Sequence, residues 1–293
     1  EINFNKYAYK RVSLKGNLQK QLFKGTVAVK DSHLLASMEG EINLRQAKPL
    51  YQLEGRIERA DLSTLHFTKE AIRLKTAFDV DFSLNSWDDL TGRGFFQDVY
   101  IQKPQMADLS MDLVSFNSEV RLGGKRHYAL NSPYVSVEVN GDFVPSRMQY
   151  ELLQLWDEYQ LYFQKNEQER NVYYASKSHD TESKYGADFT IKCHNAAPLL
   201  NRFFPSLGVA NNTIFTGNIT KGRSFQVSLE AYPDTLVMGG YSFYQSVFSF
   251  QSSKFLGGPE VSSSLIFQSR KQQMNFLTPT ENLKLDALWD QDR

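Results

Sequence analysis

The sequence predicts a mainly β protein, an antiparallel sheet with one amphipathic helix inserted, and three observations carry that prediction. Apolar and polar residues alternate over unusually long stretches, short polar connections separate those stretches, and a glycine returns in the middle of one strand after another. Composition agrees: the aromatics are weighted to Phe (21) and Tyr (15), which suit a pleated, half-buried surface better than a helix. With 293 residues, 41% of them hydrophobic, the chain can fill a substantial core.

Phe23, Val27 and Val29 alternate with Lys24, Thr26 and Lys30, and Leu34, Ala36, Met38, Ile42 and Leu44 with Ser37, Glu39, Glu41 and Asn43. The stretch LEGRIERADL at 53–62 follows the same rule, as do Ile72, Leu74, Phe78, Val80, Phe82 and Leu84 against Arg73, Lys75, Asp79, Asp81 and Ser83. Val135, Val137, Val139 and Phe143 are interleaved with Ser136, Glu138, Asn140 and Asp142. Successive side chains point to opposite faces of a strand, so each segment has one greasy and one solvated face, as in antiparallel sheets. At about 9 to 13 residues these strands would run roughly 30 to 43 Å, at about 3.3 Å per residue. The connections at 30–32, 45–49, 85–89 and 123–125 are short and polar, which describes a meander.

One segment breaks the period of two. Met148, Leu152, Trp156, Tyr159 and Phe163 recur at steps of three and four, so residues 147–174 read as an amphipathic helix with Ser146 as its N-cap. Residues 176–184, SKSHDTESK, read as a polar linker. A second β segment follows, with strands at 187–194, 214–220, 224–231, 237–243, 246–251 and 262–268 and a helical turn at 198–204. The chain therefore divides into a first β segment (1–146), a helix and linker (147–184) and a second β segment (185–293).

The recurrent glycine follows a fixed pattern: a polar residue, glycine, a polar or small residue, then an apolar one. It stands at Gly16, Gly25, Gly40, Gly55, Gly141 and Gly217. Inside a strand a glycine removes a packing side chain and loosens the backbone. Gly55 shares a face with Leu53 and Ile57, and Gly40 with Met38 and Ile42, so the expectation is a sheet that curls toward its apolar side along the glycines. A leucine at Gly55 is then expected to narrow the space on that side.

Several function classes drop out. Lys plus Arg (33) equals Asp plus Glu (33), which leaves no basic stripe for a phosphate backbone and makes nucleic acid an unexpected partner. Cys193 is the single cysteine, so no intrachain disulfide forms. It stands beside His194, but neighbours on a strand point apart, and a small buried hydrophobe is the simpler role for the thiol. The five histidines lack metal-ligand spacing. Asp79 and Asp81 read as a solvated strand face and Asp88-Asp89 as a turn rather than a calcium loop. No GxSxG, Walker or GxGxxG pattern occurs, and Gly92-Arg93-Gly94 does not make one. The expectation is no enzyme, no metal and no cofactor. A helix at 147–174 could plug a groove or lie on a membrane; its mixed charge favours packing of its aromatic stripe on the adjacent sheet. No apolar run approaches a membrane span, and a start at Glu1 without Met points to a segment of a longer polypeptide whose membrane anchor lies outside this chain.

A long sheet with one apolar face must cover it, and one helix is too little. A closed barrel, two sheets face to face, or a sheet curled into a groove remain. Ala60-Asp61-Leu62-x-x-Leu65, Asp88-Asp89-Leu90-Thr91-Gly92 and Leu130-Asn131-Ser132-x-Tyr134-Val135-x-Val137-x-Val139-x-Gly141-Asp142-Phe143 come in an order and spacing that resembles the TamB proteins of Bacteroidota. The helix, its polar loop and the turn Pro198-Leu199-Leu200-Asn201-Arg202-Phe203-Phe204-Pro205 fit the same order, and the resemblance covers residues 7–275. TamB proteins are related to the AsmA-like family within the bridge-like lipid transfer superfamily.

The resemblance implies an elongated β-taco, a curled antiparallel sheet, U-shaped in section, whose concave face is a hydrophobic groove. It implies an internal segment of an inner-membrane-anchored protein that conducts phospholipids across the periplasm to the outer membrane, beside an outer-membrane barrel partner of the Omp85 type. The residues expected to line the groove and meet acyl chains are Leu14, Val27, Val29, Met38, Ile42, Leu53, Ile57, Leu74, Phe78, Val80, Phe82, Val135, Val137, Val139 and Phe143. The alternative function is a scaffold for outer-membrane protein assembly that templates client strands by β-augmentation. A self-filled β-sandwich adhesin is a third reading.

Overall fold

The computed structural model describes residues 2–163, 167–176, 184–255, 261–274 and 278–290. Strand accounts for 63% of the described residues and helix for 14%, so the fold is mainly β, and antiparallel. The first strands are β1 (Ile2–Phe4), β2 (Tyr7–Tyr9), β3 (Val12–Gln19), β4 (Leu22–Lys30), β5 (Leu34–Asn43), β6 (Leu50–Asp61), β7 (Arg73–Ser83), β8 (Thr91–Gln102), β9 (Leu109–Val120), β10 (Arg126–Asn131) and β11 (Val135–Asp142). Helices α1 (Pro145–Phe163) and α2 (Glu167–Ser176) precede β12 (Tyr185–Cys193), and α3 (Ala197–Phe203) follows it. The remaining strands are β13 (Leu207–Val209), β14 (Thr213–Lys221), β15 (Ser224–Ala231), β16 (Thr235–Met238), β17 (Tyr241–Phe255), β18 (Val261–Met274) and β19 (Thr280–Asp290). Strands β1 and β2 form a separate two-stranded sheet, and the other seventeen are strands of larger antiparallel sheet.

The predicted strands fall where alternation placed them, with four differences. Residues 237–243 are not one strand: Gly239 and Gly240 have φ of 59° and 85° and turn β16 directly into β17, pairing Met238 with Tyr241. The segments at 246–251 and 262–268 are the middles of much longer strands, β17 and β18. Strands β1, β2, β8, β9, β10, β13 and β19 add to those expected. The helix begins at Pro145, whose fixed φ suits a first turn and whose missing N–H is not needed there. Ser146 is therefore inside α1, and the Val144 carbonyl accepts from the Met148 N–H at 2.9 Å, so Ser146 is not the N-cap. The single expected helix is two, α1 and α2. Most of the predicted linker, residues 177–183, lies outside the described residues.

The chain forms two compact units that do not follow chain order. The first comprises Glu1–Val120, Tyr128–Val137 and Cys193–Pro205; the second comprises Arg121–His127, Glu138–Lys192 and Ser206–Arg293. In the first, β3 to β9 pair strictly with their sequence neighbours. In the second, β14 pairs β15, β15 and β16 both pair β17, and β18 and β19 follow, with β13 beside β16. Neither sheet closes on itself through these pairings.

The six recurrent glycines share one geometric property. A Cβ added at Gly16 would lie 2.4 Å from the Lys24 carbonyl oxygen and 2.8 Å from the Gly25 Cα; at Gly55 it would meet the Ser37 oxygen at 2.4 Å and the Met38 Cα at 2.8 Å. Gly25, Gly40, Gly141 and Gly217 are just as tightly set against a neighbouring strand's backbone, with nearest oxygens at 2.2, 1.9, 2.0 and 2.1 Å. The strands tilt toward their apolar side along these positions, closer than any side chain allows. A leucine at Gly55 would thus do more than narrow a space: its Cβ strikes backbone, which cannot swing away, and strand pairing must give.

Gly55→Ala is expected to destabilise the protein by about 1–3 kcal/mol through this overpacking. Gly222→Ala, at a glycine with open space around it, is expected to change stability by less than about 0.5 kcal/mol. Denaturant unfolding of the two variants checks the contrast.

Candidate functional site

Register defines the face. Across the first unit, Leu14 pairs Val27, Val27 pairs Met38, Met38 pairs Gly55, Gly55 pairs Phe78, Phe78 pairs Phe96 and Phe96 pairs Val114. Parallel rows run Gly16, Gly25, Gly40, Leu53, Val80, Gly94, Phe116 and Leu18, Phe23, Ile42, Tyr51, Phe82, Gly92, Ser118. Directly paired residues share a face, so seven strands present one continuous apolar surface. Eleven of the expected lining residues lie on it: Leu14, Val27, Val29, Met38, Ile42, Leu53, Ile57, Leu74, Phe78, Val80 and Phe82. Its charged counterpart is exposed at Lys15, Lys24, Glu39, Glu54, Arg56 and Asp79.

The apolar face is neither a dry core nor a bare surface. Val27, Met38, Ile42, Leu53, Ile57, Leu74, Phe78, Val80 and Phe82 are half-buried, Val29 is buried, and Leu14 on β3 is 60% exposed. Val135, Val137 and Val139 alternate onto one side of β11 and are half-buried, whereas Phe143 is only 3% exposed and is packed away. Phe23, Tyr51, Phe96, Val114 and Phe116 complete the first unit's face and were not among the expected residues. Those on β8 and β9 escape a period-two reading because Phe95-Phe96 puts an aromatic on each side and the β7–β8 register shifts between Lys75 and Ala77.

At one end the face becomes an open apolar hollow of about 440 Å³. Val12, Val27, Val29, Ile57 and Leu74 line it from the sheet, while Ile2, Phe4, Tyr9, Leu62, Leu65 and Phe67 roof it. The opposite face also has a hollow, about 660 Å³, but Glu39, Glu54, Arg56 and Asp79 line that one. Asp31 clamps the roof. Its carboxylate accepts from Tyr7 Oη at 2.6 Å, the Lys10 N–H at 2.9 Å, the His33 N–H at 2.9 Å and Ser32 Oγ at 3.4 Å. Burial pushes the Asp31 carboxyl up, but the bonds from Tyr7, His33, Lys10 and Ser32 outweigh it and hold the group at about 2.

In the second unit helix α1 covers part of the apolar face, while Leu285 and Ala287 stay exposed. Phe225, Val227, Leu229 and Ala231 of β15 pair through β17 and β18 to Trp289, Ala287 and Leu285 of β19 on one side. Two lysines, Lys221 and Lys254, share that side through their pairing with Phe225. Helix α1 lies over it and turns carboxylates inward: Glu151 pairs with Lys221, and Glu158 with Lys254. The Lys254–Glu158 side chains are 4% and 1% exposed. Tyr185 Oη donates to Glu151, Tyr173 Oη of α2 donates to Glu158 at 3.2 Å, and Tyr159 Oη reaches Ser252 Oγ at 2.7 Å and also Ser263. The buried side of α1 is therefore Glu151, Leu155 and Glu158, with only part of the expected stripe on the sheet: Tyr159 lies 5.0 Å from the Trp289 ring, while Trp156 is 61% exposed. Hydropathy alone cannot find such a face, because the carboxylates become buriable only once the sheet supplies lysines.

Cys193 is buried, and burial pushes its thiol up, as suits an inert hydrophobe. His194, just past the end of β12, instead meets Ser136, Oγ to Nε2 at 2.7 Å, a contact between residues far apart in the sequence that the sequence does not reveal. A serine–histidine pair needs a third group to orient the ring, and no carboxylate bonds His194 among the described residues. No group of three or more His, Cys, Asp or Glu is arranged to hold a metal among the described residues. No described helix is long and apolar enough to cross a membrane. Compared with protein-family models, curated proteins and solved structures, the chain matches none of them.

The Asp31 clamp gives a pH dependence of known sign. Its folded value lies below the ordinary carboxylate value of about 3.9, so the unfolded chain binds the extra proton first and the clamp's stabilisation is present above about pH 4. It is lost as pH falls toward about 2. Acid unfolding of the wild type is expected to steepen over that window, and Asp31→Asn to be less stable at neutral pH with a shallower acid limb; denaturation midpoints from pH 5 to 2 read the difference.

Proposed function

We propose that the chain is a groove-type conduit for phospholipids, a TamB-like segment working in the periplasm between inner and outer membranes. The observation that carries the reading is the first unit's apolar face: seven strands wide, half-open, and ending in an apolar hollow. A protein with a self-filled core would bury that face. Here its large side chains stay partly accessible, while the other face is charged.

The physical task is to keep an acyl chain out of water. About fifteen methylenes at about 0.8 kcal/mol each make a penalty near 12 kcal/mol, and contact with a continuous apolar surface removes most of it. Hydrophobic contact is non-directional, so positions along the face are nearly equal in energy and barriers to sliding are low. The headgroup remains in water at the open lip. No catalytic residue, metal or cofactor enters this mechanism. The membrane anchor and the barrel partner of the Omp85 type belong to the same proposal.

A photo-crosslinking residue at Val80 is expected to capture phospholipid and one at Asp81 is not; equal capture would defeat the assignment of faces. Val80→Arg is expected to lower lipid transfer between vesicles by roughly a hundredfold, since an arginine in an apolar centre costs about 2.5–3.5 kcal/mol, with the melting curve preserved. Client polypeptide instead of lipid in the purified protein would favour the strand-templating scaffold.

A further inference from the structure

The second unit differs from the first in how its apolar face is covered, and the difference is chemical. A permanent cover would be expected to be apolar, because replacing a buried ion pair with packed hydrophobic residues is often neutral or stabilising. Helix α1 instead seats itself by two buried ion pairs, Glu151 with Lys221 and Glu158 with Lys254, and by the Tyr159 hydroxyl. Such contacts fix one docked position and lose little when both partners return to water, where each charge is solvated.

The seat is also incompletely filled. Between α1 and the sheet lies a hollow of about 510 Å³, lined by Leu155 and Trp156 on the helix and by Phe250, Leu265, Ala287 and Trp289 on the strands. Its size falls within the roughly 300–1,000 Å³ of small-molecule sites. The two ion pairs stand near it, not across it: Lys221 and Lys254 lie in the row of Phe225 and Val261, while Phe250 and Leu265 lie two pairs further along.

We propose that α1 is a displaceable strap over an acyl-chain site in the second unit: the hollow, already open at Trp156 and Ala287, takes one chain of a phospholipid, and α1 lifts off its ion pairs to open the covered part to it. This deepens the conduit reading and rests on it. The occupant is an acyl chain rather than a peptide because the lining is apolar side chain throughout its sheet side apart from two serines, Ser263 and Ser264, and Ser263 is already bonded to Tyr159.

The test places a photo-crosslinking residue at Phe250 or, separately, at Val80 in the first unit, and exposes each full chain to phosphatidylglycerol vesicles. Lipid capture at both positions is expected. The same Phe250 probe in a Glu158→Leu, Lys254→Met double variant, whose apolar seat holds the strap down, is expected to label at least fivefold more slowly, while Val80 labels as before. Capture at Val80 without capture at Phe250 overturns the site, and equal Phe250 labelling with and without the double substitution overturns the strap. Capture at neither position overturns the conduit reading itself. Melting curves establish that each variant is folded, and Ala287→Phe, which fills the hollow and leaves the ion pairs in place, is expected to abolish Phe250 labelling by a second route.

Discussion

Adjacent backbones that touch without side chains between them are the constraint on which this fold depends. An antiparallel sheet with one apolar face is stable only if that face is removed from water, and a flat sheet cannot do so by itself. At Gly16 and Gly25, and again at Gly40 and Gly55, neighbouring strands close up on the apolar side to distances that exclude even a methyl group. The apolar rows on either side of this line are thereby turned toward one another. Half-burial of Met38, Leu53, Phe78 and Val80 follows from the backbone, not from any second layer laid on top.

The two units meet the same requirement by different means. In the first, curvature and a small roof of β1, β2 and the 62–67 segment suffice; a carboxylate that gathers four donors holds β2, and Asn5 ties the 62–67 segment to it through Leu65 and His66. In the second, a helix covers the sheet and introduces charge beneath itself. The contrast matters for function because a surface held by curvature is always available, whereas one held by a docked helix is available in proportion to undocking.

Much of this was legible in the residues. Alternation placed β4 to β7 and β11 and assigned eleven side chains to the right face, because a period of two leaves no freedom once one face is charged. The glycine pattern identified six positions of backbone contact and missed a seventh, Gly92, set against the Asp81 carbonyl. What could not be read lies where a side chain's environment is supplied from far along the chain. Glu151 and Glu158 look like a solvated helix face until Lys221 and Lys254 arrive from β14 and β17, and Ser136 gives no sign of His194. Strands β8 and β9 were hidden for a local reason: apolar residues on both faces, Phe95-Phe96 in β8 and Leu113-Val114 in β9, erase the alternation.

The paired glycines also bear on how the chain finds its alignment. A slip of one residue between strands is already forbidden, because it would turn every apolar side chain to the charged side. A slip of two is not: it keeps the faces and costs only the mismatch of one greasy residue for another. With Gly16 set against Gly25 and Gly25 against Gly40, such a slip drives Leu14 or Leu18, or Phe23 or Val27, into a gap that has no room for a Cβ. The glycines act as teeth of a ratchet. Since β3 to β9 pair only with their immediate neighbours, the meander can zip in order as it emerges, each hairpin checked for alignment before the next is added.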